Sequence, residues 1–396
     1  MVRRTAVLAL ACSAVALFAA PARAVDAATL RASLDRHAQK LGPAAGVFVR
    51  DLTTGRTLYA RKPDLPLIPA SGEKLLTTAA ALLRMGPQAT LETAIFGAPP
   101  VDGVIAGDVT LLGGGDPYLS TAQVETLADA LVAQGVTSIR GRVLADDALF
   151  DRRIGSARSP FAFDLELGGR LGALVVGQGA GKDPALHAAR VLHDRLRHSH
   201  VKLLGLPRRS TSTTTGALPL ASTTSATLEA MVARINIPSD NFAAEMLLKG
   251  MGAGAGEGGT LAAGATVVRS TLAEHFGIHP TVVDGSGLST ADRVTARQLV
   301  KLLSGMANQA VAQPFVASLP VAGRTGTLKR RMRGMAAHDR CRAKTGTLAS
   351  VSSLSGYCTT DAGATLAFSI IENRVCTSCA KSIEDRMASV IARYSP

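Results

Sequence analysis

Tryptophan is absent from this chain of 396 residues, and phenylalanine and tyrosine together make up only 4% of it. So few aromatic platforms, with no recognition module, argue against nucleic acid as a partner despite a formal charge of +13. Acidic residues are the scarcer sign, 30 against 43 basic ones. That imbalance speaks to an anionic surrounding rather than to fold, and an anionic cell wall fits it. Beyond the N-terminus no apolar run is long enough to span a bilayer. Cysteine is sparse, and no second cysteine or histidine pair stands at a spacing that would complete a zinc site with Cys376 and Cys379, so no metal is expected. Strictly alternating β–α–β units are lacking too, which sets a doubly wound parallel sheet aside.

What is present begins with an export signal over residues 1–24. "MVRR" is a basic start, "TAVLALACSAVALFAA" an apolar core, and Ala22–Arg23–Ala24 a small-residue cleavage site. The expected destination is periplasmic or extracellular. Removal of this segment leaves Cys341, Cys358, Cys376 and Cys379, an even number for an oxidising compartment, with three possible connectivities. If Ala349 and Ser350 form a two-residue turn, counting outwards puts Cys341 opposite Cys358 across a hairpin, close enough to bond.

Apolar residues make up 47% of the chain, enough for a substantial core in two domains or in one large domain with an insertion. Residues 44–60 alternate around "TTG" and read as a β-hairpin, followed by a helix. From about residue 95 the texture changes to short Gly-punctuated strands, and "STSTTT" at 210–215 marks a loop or linker. Helical pattern resumes at "ATLEAMVARINI", and strands return in "CRAKTGTLASVSSLSGYCTT" and "ATLAFSIIENR", closed by an amphipathic helix. The expected fold is α/β (α+β): an antiparallel sheet flanked by helices, with residues 25–95 and 223–396 forming one domain and 96–222 inserted as a smaller α/β domain.

Three short motifs carry chemistry. "PASGEKLLTTAAALL" opens a helix with Ser71 as an expected N-cap and Lys74 one turn on, sharing its face. A lysine desolvated in a cleft loses basicity and can take a proton from a serine. A second S-x-x-K, Ser378 and Lys381, lies between and after two cysteines near the chain end. The loop "PSDN" holds Ser239, Asp240 and Asn241, with Ser239 and Asp240 starting a helix and Glu245 supporting its first turn. The strand "AKTGTL" offers a cation at Lys344, a hydroxyl at Thr345, and Gly346, whose missing side chain lets a substrate lie against the backbone. "GRTGTL" (Arg324, Thr325, Gly326) is a rival, but it runs into the charged "KRRMRG", whereas "KTGTL" runs into a believable strand partner.

S-x-x-K, S-D-N and K-T-G in that order are the set of penicillin-binding proteins and class A β-lactamases. The chain resembles the D-alanyl-D-alanine carboxypeptidase/endopeptidase branch of the penicillin-binding proteins, peptidase family S13. The blocks "GDVTLLGGGDP", "SDNFAAEMLL", "DGSGLSTADRVTARQLVKLL" and "AKTGTLASVSSLSGY" resemble the family's in order, from about residue 40 to 370. The resemblance implies a penicillin-binding-protein/β-lactamase-like transpeptidase fold with a helical subdomain. It also implies Ser71 as nucleophile, Lys74 as its base and Ser239 as proton relay. Asn241, Lys344, Thr345, Gly346 and Thr347 would bind substrate, and the backbone N–H groups of Ser71 and Thr347 would form the oxyanion hole. Peptidoglycan stem peptides are the implied substrates and β-lactams the implied inhibitors, with no cofactor and with peripheral contact to the wall or membrane surface left open. Two departures stand out. Gly72 follows the nucleophile where the family often has threonine, and the stretch from Ser71 to Ser239 is short. The alternatives are a β-lactamase of the same fold and a non-catalytic wall-binding relic.

Overall fold

The computed structural model describes residues 25–211 and 219–396. The expected export signal at 1–24 and most of the hydroxyl-rich run at 210–215 therefore lie outside the described residues.

The main sheet is built from both ends of the chain. The hairpin Ala45–Asp51 and Thr57–Arg61 pairs through its first strand with Thr365–Asn373, which continues into Val351–Thr359 and ends at the edge strand Cys341–Leu348. All these pairings are antiparallel. Apolar residues line both faces because each face is covered. One face carries the terminal helices Ala27–Ala38 and Thr377–Ile391, packed on Val47, Val49, Phe368 and Ile370. The other meets a helical layer through Phe48, Tyr357, Ala367 and Ile371.

That layer gathers Lys74–Met85, Leu228–Asn236, Asn241–Gly254, Leu261–Phe276 and Ala296–Met306 around one apolar core. Helix Lys74–Met85 is buried along nearly its whole length, which its alanine- and leucine-rich sequence permits. A capping box, Thr295 with Gln298, starts the last of these helices.

The inserted unit has its own core, with Ile95, Val109, Leu111, Leu127, Val143, Ala188 and Leu192 buried together. Its five-stranded sheet runs Ala221–Thr224, Glu92–Phe96, Val109–Leu112, Val143–Asp146, Arg208–Arg209. Glu92–Phe96 and Ala221–Thr224, which straddle the expected boundaries at 95 and 223, pair antiparallel and belong to this sheet. The strands at 109–112, 143–146 and 208–209 are parallel, joined by helices Thr121–Ala133 and Pro184–His198. Parallel crossovers are thus present where the sequence pattern suggested none. Their strands are two to four residues long, too short to show a period.

Candidate active site

Ser71 sits where the hairpin sheet, the helical layer and the insertion meet. It lies inside a one-turn 3₁₀ helix, Ala70–Glu73, that feeds helix Lys74–Met85, and it is not the expected N-cap: neither turn nor helix has a side-chain cap. Three residues per turn align Ser71 and Lys74 directly. The hydroxyl, not spent on a backbone amide, faces the lysine. Ala70, just before it, holds φ +49°, and Gly287 packs so close beneath that a Cβ there would collide with the Ala70 carbonyl.

Lys74 is fully buried, and its Nζ lies 3.2 Å from Ser71 Oγ. It donates to Asn241 Oδ1 and to the Ser286 carbonyl, each at 2.6 Å. A neutral amine has two N–H bonds and one lone pair. With two pure acceptors taking the N–H bonds, the lone pair is left facing the Ser71 hydroxyl. Burial pulls the Lys74 pKa down to about 8, against the opposing pull of Asp284, Glu245, Asp240 and Glu73.

Behind Lys74 lies a group of buried carboxyls whose roles have no local sequence signal. Contrary to expectation, Glu245 does not support its own helix turn. It turns inward and accepts from the amides of Gly285 and Ser286, both at 3.0 Å, which fixes the Ser286 carbonyl on Lys74. Asp284 accepts from Gly287 and Ser289, both at 2.7 Å, and Asp292 accepts from Val283. Burial, with Glu73 and Asp284 nearby, pushes Asp292 up to about 11, and burial raises Glu73 well above its ordinary range. Neither Glu73 oxygen has a hydrogen-bond partner among the described residues. No cluster of histidine, cysteine or acidic side chains among the described residues is arranged to hold a metal ion.

The second motif stands at the start of helix Asn241–Gly254, capped by Asp240, which accepts from Ala243. Ser239, at φ +69°, accepts from Lys344 Nζ at 2.8 Å. Lys344 is fully buried and also donates to the Thr345 carbonyl at 3.0 Å. Desolvation, with Lys74 as a neighbouring cation, lowers its pKa well below the ordinary lysine value.

The third motif is the edge strand Cys341–Leu348. The Ala343 amide donates outward to Pro320, so the period of two puts the amides of Thr345 and Thr347 on the same free edge. Gly346 has a steric reason of its own: a Cβ there would collide with the Pro69 carbonyl and Ser353 Oγ, which support the turn that carries Ser71. Ser353 Oγ donates to that same carbonyl at 2.7 Å. A Cβ at Gly72 would meet Ser353 Oγ at 3.2 Å. Cys341 and Cys358 are directly opposed in the hairpin, with Leu348 opposite Val351, and are joined by a disulfide; Cys376 is joined to Cys379.

The rival "RTGTL" forms a 3₁₀ turn, Gly326–Leu328, rather than a strand. Arg324 points away, ion-paired with Asp339. Thr327 reaches the site instead, accepting from Thr345 Oγ1 at 2.7 Å. Ser378 is exposed beside the Cys376–Cys379 bridge, and its hydroxyl meets Cys376 Sγ rather than Lys381. One further group was not legible: the Glu166 carbonyl, from the long loop at 147–183, accepts from Asn241 Nδ2 at 2.7 Å. The Glu166 carboxylate is paired with Arg158.

A serine beside a desolvated lysine, a Ser–Asp–Asn loop and a Lys–Thr–Gly edge strand, held between an antiparallel sheet and a helical layer, define a serine hydrolase of the penicillin-binding fold. The profile of the D-Ala-D-Ala carboxypeptidase 3 (S13) family matches residues 30–160 and 175–394, and the chain belongs to that family. It is 30% identical to the D-alanyl-D-alanine carboxypeptidase of Actinomadura sp. (strain R39), over 89% of this chain and 82% of the relative. It is 31% identical to carboxypeptidase DacB of Mycolicibacterium smegmatis, over 87% and 79% respectively. Among solved structures, penicillin binding protein 4 (dacB) from Haemophilus influenzae superposes with a TM-score of 0.79 at 19% identity, covering 91% of this chain and 99% of that one.

Proposed function

We propose that the protein cleaves the D-Ala-D-Ala terminus of peptidoglycan stem peptides through an acyl-enzyme on Ser71. Ser71 Oγ attacks the carbonyl carbon of the penultimate D-alanine while neutral Lys74 takes its proton. The amides of Ser71 and Thr347 receive the developing oxyanion, a kind of contact whose loss typically raises a barrier by about 3 kcal/mol. Ser239 passes a proton to the departing nitrogen, and the C–N bond breaks to release D-alanine. Lys344 and Thr345 hold the terminal carboxylate. A buried lysine with no acid beside it readily gives up its proton, and an incoming carboxylate supplies the missing counter-charge. Asn241 binds the substrate backbone, exchanging the Glu166 carbonyl for the substrate's own. Water then cleaves the ester.

The observation that carries this reading is the pair of short acceptor contacts on Lys74 that leave its third position to Ser71. The basic start and apolar core at 1–24 support export to the wall where such peptides occur. The carboxypeptidase reading is favoured over β-lactamase because the one glutamate the loop brings to the mouth, Glu166, has its carboxylate engaged by Arg158. It is not free to activate a deacylating water. Incubation with a pentapeptide ending in D-Ala-D-Ala is expected to release D-alanine, and penicillin to leave a long-lived adduct. Rapid consumption of many penicillins per site, with no D-alanine released, would reassign the protein as a β-lactamase.

A further inference from the structure

The two disulfides of the C-terminal part differ in each property that governs exchange with an outside thiol. Cys341 and Cys358 are fully buried, opposed across the edge hairpin at a sequence separation of 17. Cys376 and Cys379 are both exposed, only three residues apart, at the start of helix Thr377–Ile391. A cross-link restrains the unfolded chain less as the loop it closes shortens, so the second bridge is the weaker staple. It is also the one a thiolate from solution can reach without opening the sheet. A bridge that clamps little and stands open to solvent is suited to exchange.

Its two sulfurs have unequal surroundings. Cys376 is the N-cap of the helix, and its Sγ accepts from the Cys379 amide at 3.4 Å. The Ser378 hydroxyl lies 3.3 Å from the same sulfur, which gives the serine of the second S-x-x-K a partner. An N–H group, a hydroxyl and the positive end of the helix dipole together favour a thiolate there. Arg374, exposed two residues earlier, adds positive charge nearby. Among the described residues no such donor is aimed at Cys379 Sγ. The bridge therefore has a direction: Cys376 is the sulfur better able to leave as an anion.

We propose that Cys376–Cys379 is a thiol–disulfide exchange site that takes two electrons from exposed dithiols, separate from the acyl chemistry at Ser71. One sulfur of the dithiol gives its proton to water and attacks Cys379 Sγ as a thiolate. The Cys376–Cys379 bond breaks, and its electron pair leaves on Cys376 Sγ. The dithiol's second sulfur then attacks its own partner sulfur in the mixed disulfide and expels Cys379, which takes the second proton. The dithiol ends as a disulfide; the protein ends with a Cys376 thiolate and a Cys379 thiol. Cys341–Cys358 takes no part, because its sulfurs stay inside the core.

The test uses the folded, oxidised protein with dithiothreitol as the dithiol. Samples equilibrated at pH 7 over a range of reduced to oxidised dithiothreitol are alkylated with iodoacetamide and mapped by mass spectrometry, while circular dichroism reports the fold. Cys376 and Cys379 are expected to open at a ratio about 100-fold lower than Cys341 and Cys358, with the fold intact. In the protein so reduced, Cys376 should be alkylated about tenfold faster than Cys379, and Ser378→Ala should narrow that bias. Both bridges opening at the same ratio, or Cys376–Cys379 opening only as the fold is lost, would overturn the exchange site. Equal alkylation of the two sulfurs, or faster alkylation of Cys379, would overturn the direction assigned to it.

Discussion

Lys74 and Lys344 are both fully buried, and among the described residues neither has a carboxylate in hydrogen-bond contact. For Lys74 the consequence is a pH dependence of definite sign. The amine acts as a base only when neutral, and burial brings its pKa down to about 8, so the rate of acylation should climb with pH and level off above that value. Stopped-flow acylation by a chromogenic β-lactam between pH 6 and 10 measures this. A rate that falls as pH rises through 8 would exclude the neutral amine as base. Glu73 gives a second prediction. Its carboxyl is kept neutral mainly by burial, whereas in the unfolded chain it ionises near its ordinary 4.5. From that pH upward the unfolded chain gains a charge that the folded chain refuses, so Glu73 lowers stability increasingly as pH rises. Glu73→Gln should therefore raise Tm most at pH 8 and least at pH 4; a gain that shrinks with rising pH would contradict it.

Among the elements, the edge strand and the nucleophile turn are fitted to each other through Gly346. A methyl group there would press on the Pro69 carbonyl, which cannot move without moving Ser71. Gly346→Ala should depress acylation by about 100-fold, since displacement of a reacting group by an ångström has that scale. Binding-independent folding measures such as far-UV circular dichroism should change little. Wild-type acylation in this variant would mean that the two elements are not coupled. The hairpin was legible by counting, because a two-residue turn at Ala349–Ser350 fixes every later pair, Cys341 with Cys358 included. The 71/74 spacing was legible because a helical turn is local. The inward turn of Glu245 toward 285–286, the Glu166 carbonyl on Asn241 and the Thr327–Thr345 contact were not. Each joins residues from separate elements, and nothing in the neighbouring sequence announces the partner.

At the scale of the whole molecule, three apolar cores divide the work. Two sandwich the main sheet and fix the catalytic groups between sheet and helices, while the third makes the insertion a unit with its own interior. The insertion is tied back through Lys249, a buried lysine of helix Asn241–Gly254 that donates to Asp151 Oδ1 at 2.6 Å. That arrangement puts Ser71, one of three serines that precede a lysine by three residues, beside a buried Lys74 that itself holds Asn241. The most direct measurement is therefore peptide mapping by mass spectrometry after brief exposure to penicillin, on wild type, Ser71→Ala and Ser378→Ala. The expected result is an adduct on the peptide containing Ser71 in wild type and in Ser378→Ala, and none in Ser71→Ala. An adduct that persists in Ser71→Ala, or that maps to Ser378, would contradict the assignment of the nucleophile and the site built around it.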